Sequence, residues 1–231
     1  MIKKFILFDI DGTLIDAGKA GTRSITKAFY ELFSIEDAFA NITLAGKTDI
    51  QIIKEALVFY GLSIEDSLLH TLLSRYLKNL KNEANNGRGY AKPGVKELLH
   101  TLNTLHECVL GLLTGNVEQG ARIKLSTFGL NEYFSVGAFG DDNEDRNLLL
   151  PIAVEKLRKI QNINISFSDC IVIGDTPSDV ECSKPYGATS IAVATGPYSY
   201  DLLLQTGADY VLHDLSCAKD LILNDIKIAK K

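Results

Sequence analysis

No stretch of the sequence approaches the roughly twenty apolar residues that a membrane-spanning helix needs, so no span is expected. The opening residues Met1-Ile2-Lys3-Lys4-Phe5 set lysines before apolar residues, as a secretory leader does. The apolar run that follows is brief and holds Asp9, too short and too charged for a leader's hydrophobic segment. Basic excess is lacking too. A net charge of −5 and a pI near 5.4 leave no surplus to hold a nucleic-acid backbone. No basic run stands beside an amphipathic helix, so a membrane-surface partner is not expected either. Cysteine is scarce: Cys108, Cys170, Cys182 and Cys217 are scattered without Cys-x-x-Cys spacing. A chain of this size needs no disulfide staples, so reduced thiols and a cytoplasmic location are expected. The histidines, His70, His100, His106 and His213, have no mutual spacing suited to a metal. Internal repeats and low-complexity tracts are absent.

What is present is ordinary globular material. Hydrophobic residues make up 46% and charged residues 23% of 231 residues, enough for one α/β domain with an insertion or for two small domains. Residues 5–9 form a compact apolar run that ends on an acidic residue, with a glycine soon after, the pattern of a buried parallel strand leading into a loop. The run 108–113 followed by Thr114-Gly115-Asn116 repeats it, as do 170–173 followed by Gly174-Asp175, and 190–194 followed by Thr195-Gly196-Pro197. A weaker run spans 210–212. Helical periods lie between: Leu98, Leu99 and Leu102 after Pro93, and Ala153, Leu157 and Ile160 after Pro151. Such alternation predicts an α/β fold, a doubly wound parallel sheet with helices on both faces.

The stretch 16–89 differs. Ile25, Ala28, Phe29, Leu32 and Phe33 make one helical stripe, and Ile50, Ile53, Leu57 and Tyr60 a second. Thr48 and Gln51 form a capping box at the start of the second, with Gly61 as its stop. Leu68, Leu69, Leu72, Leu73, Tyr76 and Leu80 make a third. This predicts a helical bundle at 16–89 inserted into a core of residues 1–15 and 90–231, with the turn-forming residues 82–89 as the return linker.

The polar residues fall at the strand ends, where open parallel sheets bind ligands. Asp9-Ile10-Asp11-Gly12-Thr13 is the strongest signal. Two carboxylates two residues apart after a buried strand repel one another unless a cation intervenes. Mg²⁺ suits them, because it takes oxygen ligands and keeps waters that a phosphate can replace. Gly12 permits a tight turn close to a ligand.

Asp9-Ile10-Asp11-Gly12-Thr13, Thr114 after its apolar strand, and Gly174-Asp175-Thr176-Pro177-Ser178-Asp179 resemble, in order, spacing and strand context, three motifs of the haloacid dehalogenase superfamily. The resemblance covers nearly the whole chain, with 16–89 in the place of the helical cap, and is nearest to the phosphoglycolate-phosphatase-like members. It implies a Mg²⁺-dependent phosphatase acting on a small phosphorylated metabolite, as a monomer or homodimer, with a cap that opens for substrate and closes to exclude water. By position, Asp9 is the nucleophile and Asp11 the acid/base. Asp9 and Asp175 give carboxylates to the metal and Asp11 its main-chain carbonyl. Thr114, Gly115 and Asn116 hold phosphate oxygens, and Asp179 stands behind them.

The third motif departs from the family pattern, which has a lysine before the helix leading to Gly174. Arg146 is the expected counterpart, since it keeps the charge and binds phosphate in two-pronged fashion; Lys184 is the alternative. Pairing of Arg146 with Asp142 or Asp145 on a solvated acidic loop is the bland reading of the same residue. A phosphomutase or phosphonatase on this scaffold would share the motifs, the second needing a cap lysine such as Lys47 or Lys54. A non-catalytic phosphate-binding protein would be expected to lose Asp9, Asp11 or Asp175, and none is lost.

Overall fold

The computed structural model describes residues 4–228; residues 1–3, part of the leader-like opening and of the expected core, and residues 229–231 lie outside the described residues. In chain order the elements are β1 (Lys4–Phe8), β2 (Ile15–Asp16), α1 (Ala20–Phe33), α2 (Asp49–Phe59), α3 (Asp66–Glu83), β3 (Tyr90–Ala91), α4 (Val95–Asn103), β4 (Cys108–Leu113) and α5 (Glu118–Ser126). They continue with β5 (Val136–Ala138), α6 (Leu149–Gln161), β6 (Cys170–Gly174), α7 (Pro177–Ser183), β7 (Thr189–Val193), α8 (Tyr200–Leu204), β8 (Tyr210–Leu212) and α9 (Ala218–Ile228).

Among the described residues, six strands form a parallel sheet in the order β5-β4-β1-β6-β7-β8. All five residues of β1 are buried, as expected of a strand covered on both faces. Alternation divides them. Ile6 and Phe8 join Leu98, Leu99, Leu102 and Leu125 on the face covered by α4, α5 and α9. Phe5 and Leu7 join Leu149, Leu150, Ala153 and Leu157 on the face covered by α6. The chain leaves β1 for β4 and β5 on one side and returns for β6 on the other, so the order reverses beside β1 and the loops after β4, β1 and β6 meet there.

The insert α1–α3 has a core of its own around Phe29, Ile53, Leu57, Leu72 and Leu80. It joins the sheet domain through β2 and β3, which pair antiparallel with Ile15 opposite Ala91. Thr48 caps α2 with both halves of its capping box, and Gly61 follows the helix at φ 65°. Some expectations need adjustment. Pro93 lies ahead of α4, whose N-cap is Gly94, rather than in its first turn. Ile160 on α6 is 63% exposed, because the buried stripe of that helix runs through Leu149, Leu150, Ala153 and Leu157. Helix α3 runs to Glu83, so the return to the sheet begins two residues later than the turn-former pattern suggested. Strand β5 is only Val-Gly-Ala, too short for a periodic signal.

Candidate active site

A cavity of about 640 Å³ lies between the strand ends and the helical insert, lined among others by Asp9, Asp11, Thr114, Gly115, Asn116, Arg146 and Asp175. The sheet brings three of its loops there. Asp9 directly follows β1, and its amide still donates to the Ile173 carbonyl of β6 at 2.9 Å. Asp9 is 6% exposed, and its carboxylate accepts from Arg146 Nη2 at 3.1 Å. Burial raises the Asp9 carboxyl from 3.8 to about 6; the Arg146 charge opposes this, and Asp179 and Asp11 reinforce it.

Asp175, after β6, is 1% exposed. Its Oδ1 accepts from Thr13 Oγ1 at 3.0 Å, whereas Oδ2 is buried without a hydrogen-bond partner. Burial and the neighbouring Asp9 charge push its carboxyl well up. Gly12 sits at φ 92°, and a Cβ there would fall 2.3 Å from Asp175 Oδ2. Only a glycine gives both that backbone angle and that clearance. A Cβ on Gly196 would come within 1.6 Å of the same oxygen, so two glycines cradle it.

Arg146 is turned inward from a short 3₁₀ turn (Arg146–Leu148) and is 7% exposed. Its Nη2 bridges Asp9 and Asp179, and Asp179 also accepts from the Thr176 amide at 3.0 Å and hydroxyl at 2.7 Å. Lys184 lies elsewhere: its ammonium donates to the Thr206 carbonyl, and it is exposed. Neither Asp142 nor Asp145 takes Arg146. Asp145 caps the Asn147 amide and Asp142 holds Lys156. The acidic loop is therefore tied down rather than merely solvated. Glu144 in it receives Lys54 at 2.5 Å and, at its carbonyl, the Thr48 hydroxyl at 3.2 Å, both from the insert.

Thr114, at the end of β4, is fully buried, and its hydroxyl accepts from Asn116 Nδ2 at 2.9 Å. Gly115 is where the insert seats. The Asp49 amide donates to its carbonyl at 2.7 Å, and a Cβ on it would lie 2.3 Å from the Lys47 carbonyl. Sequence reasoning missed three residues here. Asp49 accepts from the Val117 amide at 3.0 Å, and burial raises its carboxyl to about 6 against the pull of Lys124. Tyr76 lies beside Asp49, and burial raises its phenol well above 10.0. Lys124, on α5, is 5% exposed and bonds Asp11. Among the described residues no three His, Cys, Asp or Glu side chains converge to hold a metal by themselves. Asp9 and Asp175 remain as a two-carboxylate set, and the unpartnered Asp175 Oδ2 fits a small hard cation that keeps its waters.

The family model described as haloacid dehalogenase-like hydrolase matches residues 6–193. A phosphoglycolate phosphatase from Rhodospirillum rubrum is 25% identical over 223 residues, covering 94% of this chain and 90% of the relative. Pyrophosphatase PpaX from Halalkalibacterium halodurans is 27% identical over 222 residues, covering 94% and 95%. The crystal structure of a predicted phosphatase from Clostridium acetobutylicum matches with a TM-score of 0.71 at 23% identity, covering 97% of this chain and all of that one, a likeness of fold.

Proposed function

The chain belongs to the haloacid dehalogenase-like hydrolase family, and from that we propose that it is a Mg²⁺-dependent phosphatase cleaving a small phosphate monoester through a phosphoryl group carried on Asp9. The observation that carries the reading is the pair of buried carboxylates Asp9 and Asp175 beside buried Arg146, with Asp175 Oδ2 left without a partner. Such a site is costly for a fold to hold unless a cation and an anion complete it.

Asp9 and Asp175 would hold Mg²⁺ through carboxylate oxygens and Asp11 through its main-chain carbonyl; the ion would offset charge on the phosphoryl group. Asp9 attacks phosphorus as the ester P–O bond breaks, and a proton on Asp11 passes to the departing oxygen. Water then attacks the phosphoryl group on Asp9, giving its proton back to Asp11 and freeing phosphate. Arg146 and the Thr114–Asn116 loop bind phosphate oxygens, which is where most catalysis of phosphoryl transfer arises. Asp179 holds Arg146 in place. The insert (16–89), seated on Gly115 through Asp49, excludes bulk water from the first step. The substrate is a phosphorylated metabolite small enough for the cavity, in the manner of the phosphoglycolate and pyrophosphate named for its relatives. Lys47 and Lys54 are each engaged by a surface glutamate, which gives a Schiff-base chemistry no support.

The test is phosphate release from a panel of small phosphate monoesters with Mg²⁺ and with EDTA. Release that EDTA abolishes is expected. Failure to release phosphate from any ester, at saturating Mg²⁺, would overturn the reading.

A further inference from the structure

Lys124 is a further buried cation lining the cavity, outside every motif that carries the family resemblance. It stands on α5, where a lysine ordinarily runs its stem along the helix and keeps its ammonium in water. Here the ammonium is buried and donates to Asp11 Oδ2 at 2.5 Å and to Asn116 Oδ1 at 2.6 Å. Asn116 Nδ2 donates to the same Asp11 oxygen at 2.9 Å and to Thr114 Oγ1 at 2.9 Å. One oxygen of Asp11 is thus gripped by two donors rooted in the loop after β4 and the helix that follows it. Helix α1 closes over the ammonium, since a Cβ on Gly21 would lie 3.2 Å from Nζ. The insert also brings Asp49, whose carboxylate accepts from the Val117 amide at 3.0 Å, onto the same loop.

Resting on the assignment of Asp11 as the acid/base of the proposed reaction, we propose that Lys124 is a positioning residue for that group. It ties Oδ2 into the core and so aims Oδ1 at the ester oxygen. Asp49, held by the Val117 amide, fixes the start of α2 in the insert against the same loop. Because Asp49 and Gly21 belong to the insert, the unit is complete only with the insert seated. The transferred proton moves between Asp11 and the ester oxygen or water.

Leaving-group dependence tests this, because an alkoxide needs a proton to depart and a nitrophenolate does not. The first step is read as the burst of released alcohol from an alkyl phosphate and of nitrophenolate from p-nitrophenyl phosphate. Lys124→Met should slow the alkyl burst by about 100-fold or more, the scale of general acid catalysis, and the nitrophenolate burst by less than tenfold. Lys124→Arg should regain part of the alkyl rate. If Lys124→Met does not fold, as judged by its thermal melt, Lys124→Gln carries the same expectation with a polar head retained. Equal slowing of both bursts, or no slowing of either, would overturn the proposal. A wild-type protein that releases product from neither ester would sink the phosphatase reading itself, and this inference with it.

Discussion

Replacing Asp9 by asparagine should end turnover and yet make the metal-free protein more stable at neutral pH. Burial raises the Asp9 carboxyl from 3.8 to about 6 despite the facing Arg146. A folded-state pKa above the unfolded one means that the native protein holds this proton more tightly. The stabilisation is complete below about 3.8 and is lost as pH rises through about 6. That gap corresponds to about 3 kcal/mol of penalty for carrying the ionised group at pH 7. Asparagine has nearly the same shape and no charge, so it escapes the penalty. Asp175 gains as well, because the Asp9 charge is one of the causes that push its carboxyl up. The pull of Arg146 is already contained in the value of about 6, and Arg146 keeps Asp179 as its charged acceptor. The net expectation is a gain of up to about 3 kcal/mol at pH 7 that disappears near pH 4. Urea unfolding in EDTA at pH 4, 5.5 and 7 measures it. Mg²⁺ at a hundred times its Kd should return about 2.7 kcal/mol to the wild type and far less to the variant. An Asp9→Asn protein less stable than wild type at pH 7 without metal would refute the reasoning, as would residual turnover for the nucleophile assignment.

Arg146→Ala should lower kcat/KM by about 100-fold or more, on the scale of a lost charge-stabilising donor, and cost roughly 3–5 kcal/mol by stranding buried Asp9 and Asp179. Lys184→Ala should leave turnover unchanged and shift stability by no more than about 0.5 kcal/mol; steady-state kinetics and melting curves decide between the two cations. Gly12→Ala, which forces a Cβ against Asp175 Oδ2 at a positive φ, should weaken Mg²⁺ binding by about tenfold or more in a titration of activity against metal, and an unchanged titration would count against the cradle. Thr48→Ala removes one half of the capping box and the bond to the Glu144 carbonyl. It should cost about 1 kcal/mol, seen as faster amide exchange in the first turn of α2, while exchange in β1 stays as it was.

Local patterns settled much of this molecule. The apolar runs that became β1, β4, β6 and β7 announced themselves because strands covered by helices are mostly apolar, while the weaker run at 210–212 became the partly exposed edge strand β8; the three stripes of the insert showed because a helix buries one face. The capping box at Thr48 is a four-residue affair, readable wherever it occurs. The polar clusters after β1, β4 and β6 pointed to one crevice once a parallel sheet was inferred, since such sheets gather those loops at one end. What the local pattern could not supply was anything made by two distant segments. Lys124 lies 113 residues from Asp11 and, in sequence, is an unremarked lysine on an amphipathic helix. Asp49 reads as an ordinary first-turn acid of α2 until the insert is seated on Gly115. Strand β5 is too short to show a period and exists because β4 offers it an edge. The inward turn of Arg146, rather than a pairing with the acids next to it in sequence, also waited on the tertiary structure. Buried Asp9 and Asp179 attract a guanidinium far more strongly, in a site shielded from water, than exposed neighbours do in solvent.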